Sequence, residues 1–191
     1  MSEKLIQHLQ KYIAIEKQDT PEVLRFFHPI SLDKKENLLS ENQLCRYNFF
    51  VVKGCLRMFF INGKGIEQTI HFAIENWWIT DYFAFEKQAA SSYYIQAVEP
   101  AEILSIDHKS QEKLLERFPQ IERYFRLIFQ RAYSAAQLRI KYLYDFSREE
   151  FYDHFNANFP EFIQRIPQYL LASYLNMTPE YLSEIRSKKR S

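Results

Sequence analysis

The chain has 191 residues, is 47% hydrophobic and 26% charged, and carries a formal charge of +1 at pH 7. That balance suits a globular protein with a real core, and it excludes a global field pulling the chain onto nucleic acid or membrane, so any such affinity must come from a local patch. Three glycines leave no material for a Gly-rich phosphate loop, and two cysteines, Cys45 and Cys55, are too few for an iron–sulfur cluster or a structural zinc site. No run of about 18 apolar residues exists, so no membrane span is expected. The opening residues lack the pattern of a secretory signal, and a reducing, cytoplasmic setting is the default expectation.

Residues 1–45 read as helical. Leu5, Ile6, Leu9, Tyr12 and Ile13 recur at helical spacing, and a second helix is expected from near Ser31, with Leu32, Lys35 and Leu38–Leu39 on one face and Asp33 in its first turn. Residues 46–107 change period. FFVVKGCLRMFFINGKGIEQTIHF is rich in aromatic and β-branched residues, Gly54 marks a tight connection, and NGKG (62–65) is a hairpin signal. YYIQAV (93–98) and AEILSI (101–106) read as two more strands, so a small barrel or jelly-roll is expected.

Residues 108–191 return to helix. From Pro119 to about Tyr144 there is no glycine and no internal proline. A helix of roughly 25 residues would be about 37 Å long. Ile121, Ile128, Ala135 and Tyr142 recur every seven residues, which predicts a partner helix along this rod; packing on the chain's own barrel is the competing use of the same residues. SREE (147–150) is a capping box opening a short helix.

The last stretch, IPQYLLASYLNMTPEYLSEIRSKKRS, has the spacing of two crossed helices. Pro167 suits a first helical turn. Ala172 is the small residue that lets two backbones approach, and Asn176, four on, tolerates the left-handed turn. Thr178 is an N-cap candidate, followed by Pro179 and Glu180. Leu171, Leu175, Met177, Leu182 and Ile185 would share a small core. The outer face would carry Thr178, Tyr181, Ser183 and Arg186, followed by Glu184, Lys188, Lys189 and Arg190. This is a helix-turn-helix pattern; a plain helical hairpin with a solvated basic end would produce much of it too.

Taken together, the order of elements resembles the Crp/Fnr family of bacterial transcription regulators over nearly the whole chain. The clearest piece is FFVVKGCLRMFFINGKGIEQTIHF. Its Val52, Gly54, Arg57 and NGKGIE are similar to the family's strand pair and hairpin in the cyclic-nucleotide-binding β-roll. MTPEYLSEIRSK looks like the family's recognition helix, with Glu180 on its base-reading glutamate, while Pro179 and Glu184 stand where many members carry arginine.

The resemblance implies an α+β fold: N-terminal helices and a β-roll sensor (1–118), a long dimerisation helix (119–145), and a helix-turn-helix domain (146–191) with no or a truncated wing. It also implies DNA contacts. Thr178, Glu180, Tyr181 and Ser183 would face base edges, and Arg186, Lys188 and Lys189 would hold phosphates. The expected partners are a second copy of the chain, a near-palindromic operator in double-stranded DNA, and a small-molecule effector of unknown identity.

At the nucleotide site this chain departs from the family, whose binders use a Gly-Glu pair and then an Arg-Ser/Thr pair. Thr80 or Asp81 falls at the glutamate, with no glycine adjacent, and Ser91 stands where the arginine belongs, beside Ser92. Losing that arginine removes a charge-assisted bond worth roughly 1.5–3 kcal/mol. Thr80, Asp81, Ser91 and Ser92 are therefore the ligand-pocket candidates, and cyclic AMP is disfavoured. No catalytic or metal-binding constellation stands out, and no cofactor is implied. Two rival readings stay open: a ligand-binding or protein-interaction module that does not bind DNA, and a true cyclic-AMP-responsive regulator.

Overall fold

The computed structural model describes residues 2–188. The chain forms two compact units, Met1–Phe60 with His71–Gln130, and Ile61–Ile70 with Arg131–Ser191.

In the first unit, α1 (Ser2–Gln10) buries Leu5, Ile6 and Leu9, and a short α2 (Thr20–Leu24) follows. The expected second helix near Ser31 does not form. Residues there make β1 (His28–Leu32) and β2 (Asn37–Leu39), joined by a turn in which Lys35 has φ 72° and the Glu36 carboxylate accepts from Asp33 N–H. Leu32 and Leu39 are buried because each faces inward from its own strand, and their seven-residue separation only imitates two helical turns. Tertiary pairing overrides the local pattern here: β1 is paired along its length, from His28 with Ser105 to Leu32 with Ala101, to a strand far along the chain.

The remaining strands are β3 (Tyr47–Lys53), β4 (Leu56–Ile61), β5 (Glu67–Ala73), β6 (Trp78–Ile79), β7 (Tyr94–Ala97) and β8 (Ala101–Asp107). They form a β-roll of two sheets, ordered β1-β8-β3-β6 and β2-β7-β4-β5. Gly54, between β3 and β4, has φ 100°, and a Cβ there would lie 2.7 Å from Ala101 Cβ. Only glycine permits both that dihedral and that approach. At the β4–β5 turn, Asn62 Oδ1 accepts from Lys64 N–H and Ile66 N–H, and Gly65 takes φ 75°.

Between β6 and β7 lies α3 (Tyr82–Lys87), and after β8 comes α4 (His108–Arg117). The long helix α5 (Gln120–Asp145) has 26 residues, about 39 Å at helical rise. Its first turns bury Ile121, Tyr124 and Phe125 in the core of the first unit, with Phe50, Trp78, Leu104, Ile106 and the apolar face of α1. Tyr124 is the fully buried hub of this packing. The Trp78 indole N–H donates to its hydroxyl at 2.7 Å, and that hydroxyl also hydrogen-bonds His8 Nδ1 at 2.8 Å.

Beyond those turns, α5 exposes Phe129, Tyr133, Leu138, Ile140, Leu143 and Tyr144. Phe129, Tyr133, Ala136, Ile140 and Leu143 follow the alternating four-and-three spacing of a helix-packing stripe. Of the residues spaced by sevens, Ile121 lies in the core of the first unit and Ile128 packs against it.

The second unit holds α6 (Arg148–Asn158), α7 (Pro160–Arg165), α8 (Gln168–Tyr174) and α9 (Pro179–Lys188). The capping box at Ser147 is complete. Its side chain accepts from Glu150 N–H, and the Glu150 carboxylate accepts from Ser147 N–H at 2.8 Å. These bonds hold the Glu150 carboxyl below its ordinary pKa.

Candidate functional site

Two places carry the residues expected to matter. The first is the segment from β6 through α3 to β7. Thr80, Asp81 and Ser91 are buried, and Ser92 is exposed. Asp81 caps α3. Its Oδ1 accepts from Ala84 N–H at 3.1 Å, and its Oδ2 accepts from the Ser91 hydroxyl at 2.9 Å and Ser92 N–H at 3.3 Å. Ser91 Oγ in turn accepts from Tyr93 N–H at 3.0 Å. Thr80 donates to Tyr47 O at 2.8 Å and lies 3.2 Å from Cys45 Sγ. Burial pushes the Cys45 thiol pKa up, so it is not a poised nucleophile.

Asp81, Ser91 and Ser92 are thus brought together, with the donors of the two serines converging on an anion the chain itself supplies, while the Thr80 hydroxyl turns to Tyr47 O. The hydroxyl of Ser91 and the amides of Ser92 and Ala84 are the groups a phosphate would use. Here the carboxylate of Asp81 takes them. Neither Ser91 nor Ser92 can replace a guanidinium. The residues present do not fit a cyclic phosphate: a second anion would face the Asp81 carboxylate in a buried setting where like charges repel strongly. Of the nearby aromatics, Trp78 is core and Trp77 is 41% exposed.

The second place is the α8–α9 corner. Ala172 is fully buried, and α8 packs against α9. Asn176 takes φ 57° at the turn, and Met177 N–H returns to Ala172 O at 3.0 Å. Leu171, Leu175, Met177, Leu182 and Ile185 are buried, as their spacing requires. Thr178 Oγ1 accepts from Tyr181 N–H at 3.2 Å and caps α9.

The outer face of α9 presents Glu180, Ser183, Glu184 and Ser187, all exposed, and these form an open, shallow surface with Pro179 and with Gln168 and Tyr169 from the start of α8. Tyr181 is half-buried on the flank, 5.8 Å beneath the Arg148 guanidinium. Arg186 is half-buried, and Lys188 pairs with Glu184 at 2.9 Å, which raises the lysine's pKa. Lys189 lies outside the described residues.

Sequence reasoning missed Gln168 and Tyr169 as flanks of that open face, and it missed Ser173. The Ser173 hydroxyl donates to Glu67 O at 2.8 Å and accepts from Thr69 N–H at 2.9 Å, while the Gln68 side-chain amide donates to Ser173 O. One helical serine thereby holds the tip of the β4–β5 hairpin. Arg139 Nη2 donates to the next carbonyl, Tyr174 O, at 2.9 Å, with its guanidinium 4.5 Å over the Tyr174 ring. No sequence signal marks these contacts, which join residues 35 or more positions apart. Among the described residues no cluster of three or more His, Cys, Asp or Glu could hold a metal, and no helix is long and apolar enough to cross a membrane.

Residues 29–118 match the cyclic nucleotide-binding domain family. No curated protein matches the chain in sequence at a significant level. Among solved structures, the chain is similar to FixK2 from Bradyrhizobium japonicum, with 17% identity, a TM-score of 0.70, and coverage of 85% of this chain and 83% of that one. It is also similar to the c-di-GMP-responsive global regulator CLP from Xanthomonas campestris (12% identity, TM-score 0.73, 92% of each chain). A third similar structure is a CooA mutant from Carboxydothermus hydrogenoformans (16% identity, TM-score 0.71, 94% of this chain and 86% of that one).

Proposed function

We propose that this chain, whose residues 29–118 match the cyclic nucleotide-binding domain family and whose fold is similar to those of FixK2, CLP and CooA, is a dimeric, DNA-binding transcription regulator of Crp/Fnr type whose β-roll takes no cyclic nucleotide. In this reading residues 1–118 are the sensor, 119–145 the dimerisation helix and 146–191 the DNA-binding domain. The observation that carries it is the α8–α9 corner: a buried Ala172 in the first helix, a left-handed Asn176 at the turn, and a second helix whose apolar side is buried and whose polar side is open. A helix presented this way fits a major groove.

Glu180 and Ser183 are then the residues aimed at base edges, with Thr178 and Tyr181 beside them. Arg186, Lys188 and Lys189 hold phosphates. The exposed apolar stripe on α5 supports pairing with a second copy, since burying residues such as Ile140 and Tyr133 against water is favourable at about 25 cal/mol per Å². Two-fold pairing calls for a near-palindromic operator with half-sites about one helical turn apart. The self-filled anion site at Asp81 supports an effector other than cyclic AMP or cyclic GMP.

Gel-shift titration against genomic fragments tests the reading. Arg186→Ala with Lys188→Ala should weaken binding across all sequences and reduce the salt slope by about two units. A protein-interaction module without DNA binding would retard no fragment at any ionic strength. Calorimetric titration with cyclic AMP and cyclic GMP should give no heat of binding; micromolar binding would favour the nucleotide-responsive alternative.

A further inference from the structure

Resting on the DNA-binding reading, we infer that Glu184 is a second base-reading residue and that it selects cytosine, through its exocyclic amine, at one operator position. Glu184 lies one helical turn beyond Glu180, so both side chains leave α9 on the same side, with Ser183 and Ser187 completing that face. Leu182 and Ile185 occupy the buried side. Gln168 and Tyr169 of α8 flank that open face, and the residues forming it include no arginine or lysine. The face that would meet the bases therefore carries two carboxylates that only accept hydrogen bonds, plus two hydroxyls.

In the major groove guanine offers N7 and O6, both acceptors, so a carboxylate finds no partner there. Cytosine offers its N4 amine, which a carboxylate accepts; the adenine N6 amine lies beside the N7 acceptor, whose lone pair repels a carboxylate, so cytosine is the better partner. The pair of acidic residues thus sets the chemistry of the base, and the ion pair to Lys188 does not prevent it. That pair is surface-exposed, with side chains 64% and 56% accessible, and such pairs contribute little. Turning Glu184 toward a base frees Lys188 for a phosphate on the same strand. Two carboxylates one turn apart repel mildly along a helix, and donor amines along the groove remove that repulsion in the complex.

The test is selection of binding sites from random duplexes by the full chain at low salt, with wild type and Glu184→Gln in parallel. Glutamine both donates and accepts, which suits adenine N7 and N6. Wild type should enrich cytosine at a fixed position in each half-site. E184Q should move that position to adenine and weaken binding to the wild-type site about tenfold. Its salt slope and thermal midpoint should match wild type, because the residue is exposed and touches no phosphate. Absence of a C·G pair at any fixed position of the wild-type motif, or the same motif from both proteins, overturns the inference while leaving DNA binding intact. Failure of both proteins to retain any duplex at low salt overturns the DNA-binding reading, and this inference with it.

Discussion

The segment around Asp81 and the α8–α9 corner use the same kinds of residue to opposite ends. Around Asp81, serines, a threonine and a carboxylate are turned inward, and the carboxylate accepts from Ser91, Ser92 and Ala84. On α9, Ser183 and the carboxylates of Glu180 and Glu184 are turned outward, and Glu184 pairs with Lys188 at the surface. A polar group that has found its partner inside the fold adds stability and rigidity; one left in water keeps its capacity for a ligand. The first region is therefore a closed account of hydrogen bonds and the second an open one.

That contrast makes graded predictions. The largest effect concerns the support of the open face: Leu182→Ala removes a fully buried side chain beneath α9 and should cost about 2–5 kcal/mol in urea denaturation, with DNA binding lost in parallel. Next, Asp81→Ala leaves buried donors without an acceptor and should cost about 1–3 kcal/mol by thermal melting. It should leave DNA affinity unchanged; a drop in affinity with no loss of stability would mean that the site is not closed.

Ser147→Ala removes one half of the capping box and should cost about 1 kcal/mol. The other half is pH-dependent. Glu150 has its pKa lowered by its bonds to Ser147, so its contribution is present above the ordinary value of 4.5 and is lost as pH falls through the lowered value. Acid titration of wild type followed by circular dichroism should show this loss, and the Ser147→Ala variant should show less of it. The smallest stability effect belongs to Glu180→Ala, within about 0.5 kcal/mol, because the side chain is exposed. Its effect should appear in base preference alone.

How far these features were legible in sequence follows from the range of the interactions. The NGKG hairpin, the capping box and the turn at Asn176 are decided within four residues, and each is found where its local chemistry puts it. The helix expected near Ser31 fails because β1 is decided by pairing with β8, far along the chain. Thr80, Asp81, Ser91 and Ser92 stand out in sequence as pocket candidates, but the hydrogen bonds that tie Ser91 and Ser92 to Asp81, and Thr80 to Tyr47, do not. Reading Asp81 only as a charge misses that its carboxylate caps α3 and takes the Ser91 proton. Ser173 was invisible for the same reason: its partners Glu67 and Thr69 lie more than 100 residues away.

Fluorescence anisotropy of a labelled operator fragment, titrated with the full chain with and without cyclic AMP or cyclic GMP, bears most directly on the central claim. The account predicts salt-sensitive binding by a dimer that neither nucleotide alters. Binding that appears only when a cyclic nucleotide is added would contradict it.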